Sequence, residues 1–252
     1  MIRLCGREDN REVLRRTSGQ PMVGVLCRMH WEMLGENPRL PHRFYFVGDE
    51  ALLKLSGGRA TLCGTVQDAD ELGAFLRFAA VSQMTALDFF PPGWHLIETN
   101  SLLLRPAGLP HDTTAVPLPG KIDTFPPAEE VLSVLESADG PITPQVARDF
   151  LYADLNARRN HGKACVYGIR KAGRLAATAG LWALSGAEGY VACVETRPDS
   201  RRQGYATALL QQLCKDFKNR TLCLICRGEL VEYYGRFGFG KTGRLGLISV
   251  TQ

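Results

Sequence analysis

One stretch of the sequence combines a strand, a turn of small residues and the start of a helix. The apolar, β-branched run 190–196 predicts a strand, which Pro198 and Asp199 end. The segment Arg201-x-x-Gly204-x-Ala206 predicts a tight turn, and apolar residues at helical spacing follow it. Free backbone N–H groups converge at a helix start, with the positive end of the helix dipole behind them. This turn is therefore suited to bind a phosphate.

The same turn resembles the acetyl-CoA-binding motif of the GNAT superfamily of N-acyltransferases. The family's motif reads Arg/Gln-x-x-Gly-x-Gly/Ala after a strand, and Arg201, Gly204 and Ala206 fill it here. A second match lies downstream, where segment 234–239 reads Tyr-Gly-Arg-Phe-Gly-Phe and fits the family's Tyr-x-x-x-Gly-Phe. Two motifs in the family's order make the resemblance more specific than either motif alone.

The resemblance implies that acetyl-CoA is the co-substrate and that no metal ion takes part. In the family, two neighbouring strands separate and admit the pantetheine arm, which implies that the backbone of residues 193–196 lies beside the thioester. The pyrophosphate is then expected on residues 203–207. The expected cofactor-binding residues are Val194, Thr196, Arg201, Arg202, Gln203, Gly204, Tyr205, Ala206 and Thr207.

The family's reaction is direct attack of an amine on the acetyl thioester, and it needs three groups. A base must remove a proton from the amine, directly or through water, backbone donors must hold the developing oxyanion, and an acid must protonate the departing thiolate. The second motif implies that Tyr234 is the acid; packing of its ring in an apolar neighbourhood is the alternative. Glu195 is the candidate base, although strand alternation could direct its side chain away from the substrate.

The implied activity is transfer of an acetyl group to a primary amine of a small molecule or a peptide. Further residues on the acceptor side could be Tyr152, Arg158, His161 and Trp182, for which a helix surface or a core position is the alternative. Two other functions remain open at this stage. One is a CoA-binding regulatory module without catalysis, and the other is an interaction module carried by the first half of the chain.

The composition is that of an ordinary globular protein. The chain has 252 residues, of which 45% are hydrophobic and 22% are charged. A net charge of +4 is too small to indicate a nucleic-acid partner, and no stretch reaches transmembrane length, so we expect no membrane partner. The eight cysteines are scattered through predicted strands and helices, which is typical of reduced thiols in a cytoplasmic protein.

The predicted fold class is α/β (α+β), with two GNAT-like mixed, twisted sheets flanked by helices. The predicted domains are a degenerate GNAT-like domain at 1–105, a proline-rich connector at 106–127 and a catalytic domain at 128–252. Both halves predict helices, a hairpin, a third strand, a helix, a strand and a terminal strand pair, at 94–104 and 239–250. In the first half Asp68 and Asp70 stand where the phosphate turn would be, and they would repel a pyrophosphate. An unrelated α/β domain of similar element order is the alternative for this half.

Overall fold

The chain divides into two compact units that are not continuous in sequence. The computed structural model describes residues 1–36, 40–91, 94–110, 120–137 and 145–250. Unit 1 contains Met1–Leu104, Ile225–Val231 and Lys241–Gln252, and unit 2 contains Arg105–Leu224 and Glu232–Gly240. The end of the chain therefore belongs to unit 1. The three contiguous segments predicted above stay a prediction, and the connector residues 111–119 lie outside the described residues.

The first half of the chain forms two helices, a three-stranded meander and a further helix between strands. Its elements are β1 (Ile2–Leu4), α1 (Asn10–Thr17), α2 (Val23–Glu36), β2 (His42–Val47), β3 (Ala51–Ser56), β4 (Arg59–Cys63), α3 (Ala69–Phe78), β5 (Gln83–Leu87) and β6 (His95–Arg105). Strands β1 to β4 pair antiparallel in sequence order, and β5 lies parallel to β4. A mixed sheet results, with α3 as the connection that the parallel pair requires.

The second half repeats this order. Its elements are β7 (Ile122–Asp123), α4 (Ala128–Ser137), α5 (Gln145–Asn160), β8 (Cys165–Lys171), β9 (Arg174–Ser185), β10 (Glu188–Thr196), α6 (Tyr205–Asp216), β11 (Thr221–Cys226), α7 (Val231–Gly235) and β12 (Gly240–Ser249). Strands β7 to β10 pair antiparallel, and β11 lies parallel to β10. The predicted α/β class with mixed sheets and flanking helices is confirmed.

The C-terminal strand completes the sheet of unit 1. Strand β12 pairs antiparallel with β5, with Leu245 opposite Leu87 and Ser249 opposite Gln83. Ile248 is buried in the core that α3 forms with its sheet. The core of unit 1 therefore includes residues from both ends of the sequence.

The predicted terminal strand pairs are wrong in both halves, because each is one long strand. In place of the pair predicted at 94–104, the single strand β6 runs from His95 to Arg105. In place of the pair predicted at 239–250, the single strand β12 runs from Gly240 to Ser249, although glycines interrupt its sequence. Gly246 lies so close to the ring of Phe90 that an added Cβ would collide with it. This glycine serves close packing rather than a turn.

In unit 2, helices cover both faces of the sheet, and this arrangement positions the candidate site. Helices α4 and α5 pack on one face, in a cluster that includes Leu132, Leu155 and Val166 and that Cys193 joins. Helix α6 packs on the other face, in a cluster that includes Tyr205 and Leu209 and that Val194 joins. Consecutive residues of β10 therefore face different helices, as strand geometry requires.

Candidate active site

A left-handed turn joins β10 to α6. A short 3-10 turn at Pro198–Ser200 follows the strand, and the chain then passes through Arg202 at φ 59° and Gly204 at φ 81°. Gly204 is the residue before α6, and no side chain caps the helix there. Glycine has no side chain that could accept from the first N–H groups of α6, and the helix dipole makes this position favourable for an anion. Because L-residues rarely adopt such a φ, Gly204 is needed for the shape of the turn.

The side chains around this turn differ in what they can offer a ligand. Arg201, Arg202 and Gln203 are exposed, and the Arg201 Nε donates to the Thr196 carbonyl at 3.3 Å. The Tyr205 side chain is buried in the α6-face core, so only its backbone is available to a ligand. The exposed guanidinium groups place positive charge beside the uncapped helix start.

The corresponding position in unit 1 is occupied by a carboxylate. Asp68 precedes α3, and its side chain accepts a hydrogen bond from the Glu71 N–H at 2.8 Å. This N-cap satisfies a donor that an anionic ligand would otherwise use. The negative charge also opposes binding of a phosphate there.

Arg197 holds the end of β10, a role that the sequence did not indicate. The side chain is buried; its Nε donates to the Leu175 carbonyl and its Nη2 to the Ser133 hydroxyl, both at 2.8 Å. The Arg197 N–H donates to the Ala176 carbonyl at 2.9 Å. Burial lowers the pKa of this guanidinium. These bonds tie the last residues before the turn to β9 and α4.

Strand β10 contains a bulge at Cys193 and Val194. The register with β9 shifts between Ala192 and Glu195, and Cys193 has a positive φ of 55°. The Thr178 hydroxyl donates to the Cys193 carbonyl at 2.9 Å and holds the distorted backbone. Such bulges locally interrupt the ladder and redirect side chains.

The pairing of β10 with β11 covers only the first part of β10. The parallel register runs over Glu188–Val191, whereas the register with β9 continues to Thr196. Beyond Val191, one edge of β10 is therefore not engaged by this ladder. Val194 and Thr196 lie on this segment, and their role beside the thioester stays a prediction.

Cys193 lies among three charged side chains. Burial raises the pKa of its thiol to about 12, so the thiol is neutral at physiological pH. Two guanidinium groups of α5, those of Arg158 and Arg159, lower this pKa, and the carboxylate of Glu195 raises it. Glu195 and the two arginines therefore approach the same thiol, which the α4 and α5 cluster contains. The role of Glu195 as the base stays a prediction.

The two tyrosines of α7 differ in their surroundings. Tyr234 is 7% exposed, and its ring packs edge-on against Tyr233, with 5.2 Å between centroids. The Tyr233 hydroxyl lies 3.5 Å from the Thr207 hydroxyl in the first turn of α6. Burial raises the pKa of Tyr190 on β10, and Tyr234 adds a smaller effect in the same direction. Tyr233 therefore contacts the predicted pyrophosphate site, and Tyr234 approaches the strand predicted to lie beside the thioester.

A fully buried arginine supports the loop after Tyr234. The Arg105 Nε donates to the Phe237 carbonyl at 3.0 Å, and its Nη2 donates to the Leu109 carbonyl at 2.7 Å. Gly238 follows at φ 84° and lies against this side chain. Arg105 stands outside both motifs, and no local sequence signal marks it.

The other residues expected on the acceptor side have different environments. Arg158 is buried, pairs with Asp154 at 2.8 Å and donates to the Trp182 carbonyl at 2.8 Å. Its guanidinium also lies 5.4 Å from the Trp182 ring centre. Tyr152 is exposed and His161 is half-buried. Arg158 and Trp182 thus form a structural pair, and Tyr152 is free to contact a substrate.

Neither a metal site nor a membrane span is found in the described part of the chain. Within those residues, no three or more His, Cys, Asp or Glu side chains gather as metal ligands would. Over the same ranges, no helix combines the length and apolar character needed to cross a membrane.

The sequence and the fold both match known acetyltransferases. Residues 130–239 match the acetyltransferase (GNAT) family. The match lies within the second half of the sequence and covers less than half of the chain. The matched segment contains both motifs and all the predicted site residues. The sequence matches no curated protein.

Solved structures share the GNAT fold over nearly the whole chain. A tandem GNAT protein from the clavulanic acid biosynthesis pathway is 14% identical, with a TM-score of 0.65 and coverage of 100% of this chain and 99% of that one. A GNAT-family acetyltransferase from Novosphingobium aromaticivorans is 20% identical, with a TM-score of 0.57 and coverage of 90% and 99%. One from Colwellia psychrerythraea is 14% identical, with a TM-score of 0.58 and coverage of 99% and 99%.

Proposed function

We propose that this GNAT protein transfers the acetyl group of acetyl-CoA to a primary amine of a small molecule or a peptide. The observation that carries the proposal is the start of α6, which has no N-cap side chain and which follows a bulged strand whose pairing with β11 ends at Val191. A phosphate group binds to the free N–H groups at such a helix start. The amides of the pantetheine arm need backbone groups that are free to pair with them, as at the edge of the strand. The corresponding helix start of the first half carries its own carboxylate cap, which favours one cofactor site per chain.

In the proposed complex, the turn holds the pyrophosphate and β10 holds the arm. The backbone N–H groups of residues 203–207 bind the phosphate oxygens, and the exposed Arg201 and Arg202 side chains add positive charge. Val194 and Thr196 hold the arm through their backbone groups. Thr207 adds a hydroxyl at the first turn of α6, where Ala206 leaves room for the ligand.

The proposed reaction is a direct transfer. The amine nitrogen attacks the thioester carbonyl carbon, the new C–N bond forms, and the C–S bond breaks. The amine proton passes to Glu195, directly or through water, and the departing sulfur takes a proton from the Tyr234 hydroxyl. An acyl-enzyme on Cys193 is disfavoured, because burial raises the pKa of that thiol to about 12 and the thiolate is the nucleophile.

The proposal extends to the first half and to the location of the protein. We take residues 1–105 as a degenerate GNAT-like domain without a cofactor site of its own. All eight cysteines are free thiols, which supports a reducing compartment such as the cytoplasm. Nucleic acid, membrane and metal have no part in the proposed activity.

A thiol-release assay tests the proposal. The full-length protein is mixed with acetyl-CoA and a panel of small amines and peptides, and free CoA is measured over time. Release that depends on an amine supports the proposal, and mass spectrometry must find the acetylated amine. Binding of acetyl-CoA without transfer to any amine would instead favour a non-catalytic CoA-binding module.

A further inference from the structure

One edge of the Arg159 guanidinium carries two buried donors without partners. Among the described residues, nothing accepts a hydrogen bond from Arg159 Nε or Nη2. The Nη1 atom donates to the Pro126 carbonyl at 2.9 Å, and the Phe125 ring centre lies 4.8 Å from the guanidinium carbon. The two unpartnered nitrogens form one side of the planar group, where parallel N–H bonds match the two oxygens of a carboxylate.

Arg158 and Arg170 of unit 2 have no such edge, and Arg105 has one nitrogen, Nη1, without a partner among the described residues. Arg158 engages the carboxylate of Asp154, and Arg170 engages Asp123 and Glu130. Burial lowers the pKa of the Arg159 guanidinium, so this cation is held in a position that disfavours its charge. Buried charged donors are costly when unpaired, and an exception points to a bound group that completes them.

Arg159 lies on α5, the helix whose Leu155 belongs to the same cluster as Cys193. Its charge acts on the Cys193 thiol, and the carboxylate of Glu195 acts on the same thiol. The thiol belongs to the bulge of β10, beside which the thioester is proposed to lie. A group bound by Arg159 would thus be near the amine that Glu195 is proposed to deprotonate.

We propose that Arg159 binds a carboxylate of the acceptor, so that the acceptor is an amino acid or a peptide with a nearby acidic group. The inference rests on the proposed function, because it names the substrate class of that site. The exposed ring of Phe125 packs against the guanidinium. The carboxylate pairs with Nε and Nη2, and Nη1 keeps its bond to Pro126.

Binding of matched ligands tests this inference without requiring turnover. The full-length protein, with CoA present, is titrated with amino acids and dipeptides and with the corresponding carboxamides, and affinity is measured by calorimetry. We expect at least one carboxylate ligand to bind at least tenfold more tightly than its carboxamide. Arg159→Gln should abolish that preference, and Arg159→Lys, which keeps the charge but not the fork, should reduce it.

Arg148→Gln is the matched control, because Arg148 lies on the same helix and pairs with Glu129 and Glu136 at the surface. It should retain the wild-type preference. The inference is overturned if no carboxylate ligand binds, if its carboxamide binds equally, if only phosphorylated amines bind, or if Arg159→Gln keeps the preference. If Arg159→Gln does not fold, an unchanged preference in Arg159→Lys overturns the inference too. A separate titration of the same protein preparation, without CoA, measures the binding of acetyl-CoA itself. Failure of acetyl-CoA to bind would count against the proposed function instead.

Discussion

Removing the hydroxyl of Tyr234 should slow the transfer step without disturbing the fold. The ring packs against Tyr233 and against Phe239, with centroids 5.2 and 6.3 Å away, and Tyr234→Phe keeps both contacts. A phenol, with a pKa of about 10, is protonated at neutral pH and can supply the proton that the departing thiolate takes. Loss of a general acid lowers kcat about ten- to a thousandfold, which corresponds to about 1.4 to 4 kcal/mol of barrier.

Tyr233→Phe is the matched control, and its effect should appear in a different constant. The hydroxyl it removes lies 3.5 Å from the Thr207 hydroxyl, at the outer limit of a hydrogen bond. Such a contact contributes less than about 1 kcal/mol, so KM for acetyl-CoA should rise less than about fivefold while kcat stays unchanged. The contact of Tyr233 with α6 is the reason to measure KM as well as kcat.

Initial rates of thiol release over a range of acetyl-CoA and amine concentrations separate the two constants. Thermal melting of both variants shows whether they fold. If the two variants behave alike, or if Tyr234→Phe keeps full kcat, then Tyr234 is a packing residue and another group protonates the thiolate.

Three further predictions concern the turn, the C-terminal strand and pH. Gly204→Ala should lose about 1–2 kcal/mol of stability, because an L-residue is strained at its positive φ, and it should also bind acetyl-CoA more weakly. Gly186→Ala is the control, because Gly186 has φ 54° and open space around it, so this variant should show the strain alone. Thermal melting compares the stabilities of the two variants, and calorimetry compares their affinities for acetyl-CoA. Ile248→Ala should destabilise the protein by about 2–5 kcal/mol in denaturant unfolding, because Ile248 is buried in the unit 1 core, and an unchanged midpoint would remove β12 from that core. Burial raises the pKa of Cys27 to about 11 and that of Cys193 to about 12, from 9.0 for an ordinary thiol. As pH rises, the unfolded state therefore loses these thiol protons before the folded state does. The melting temperature should be unaffected by these thiols below about pH 9 and should fall as pH rises towards 12. A rise in the melting temperature between about pH 9 and 12 would contradict this prediction.

Periodicity and turn residues predicted most elements, because these signals are local. The strand–turn–helix at β10 and α6 is an example, since Pro198 ends the strand and Gly204 precedes the helix. The terminal strands were wrong for a related reason. Gly246 carries the same local signal as a turn glycine, and only its position against the Phe90 ring, distant in sequence, distinguishes it.

The supporting parts of the site could not be predicted, because their partners are distant backbone groups. Arg105 donates to a carbonyl 132 residues away, and Arg197 donates to one 22 residues away. Neither bond leaves a pattern in the sequence. The bulge at Cys193 is similar, since a positive φ is expected at glycine and not at cysteine. The unpartnered edge of Arg159 is also visible only in the fold. Arg158, the preceding residue, pairs with Asp154, and the sequence does not distinguish the two arginines.

The most direct test of the central claim is a calorimetric titration of the full-length protein with acetyl-CoA. The account predicts a stoichiometry near one per chain, because α6 begins without a side-chain cap and α3 is capped by Asp68. It also predicts that Gly204→Ala weakens this binding while Gly186→Ala does not. A stoichiometry near two, no binding at all, or unchanged affinity in a folded Gly204→Ala variant would contradict the assignment of the cofactor to the start of α6.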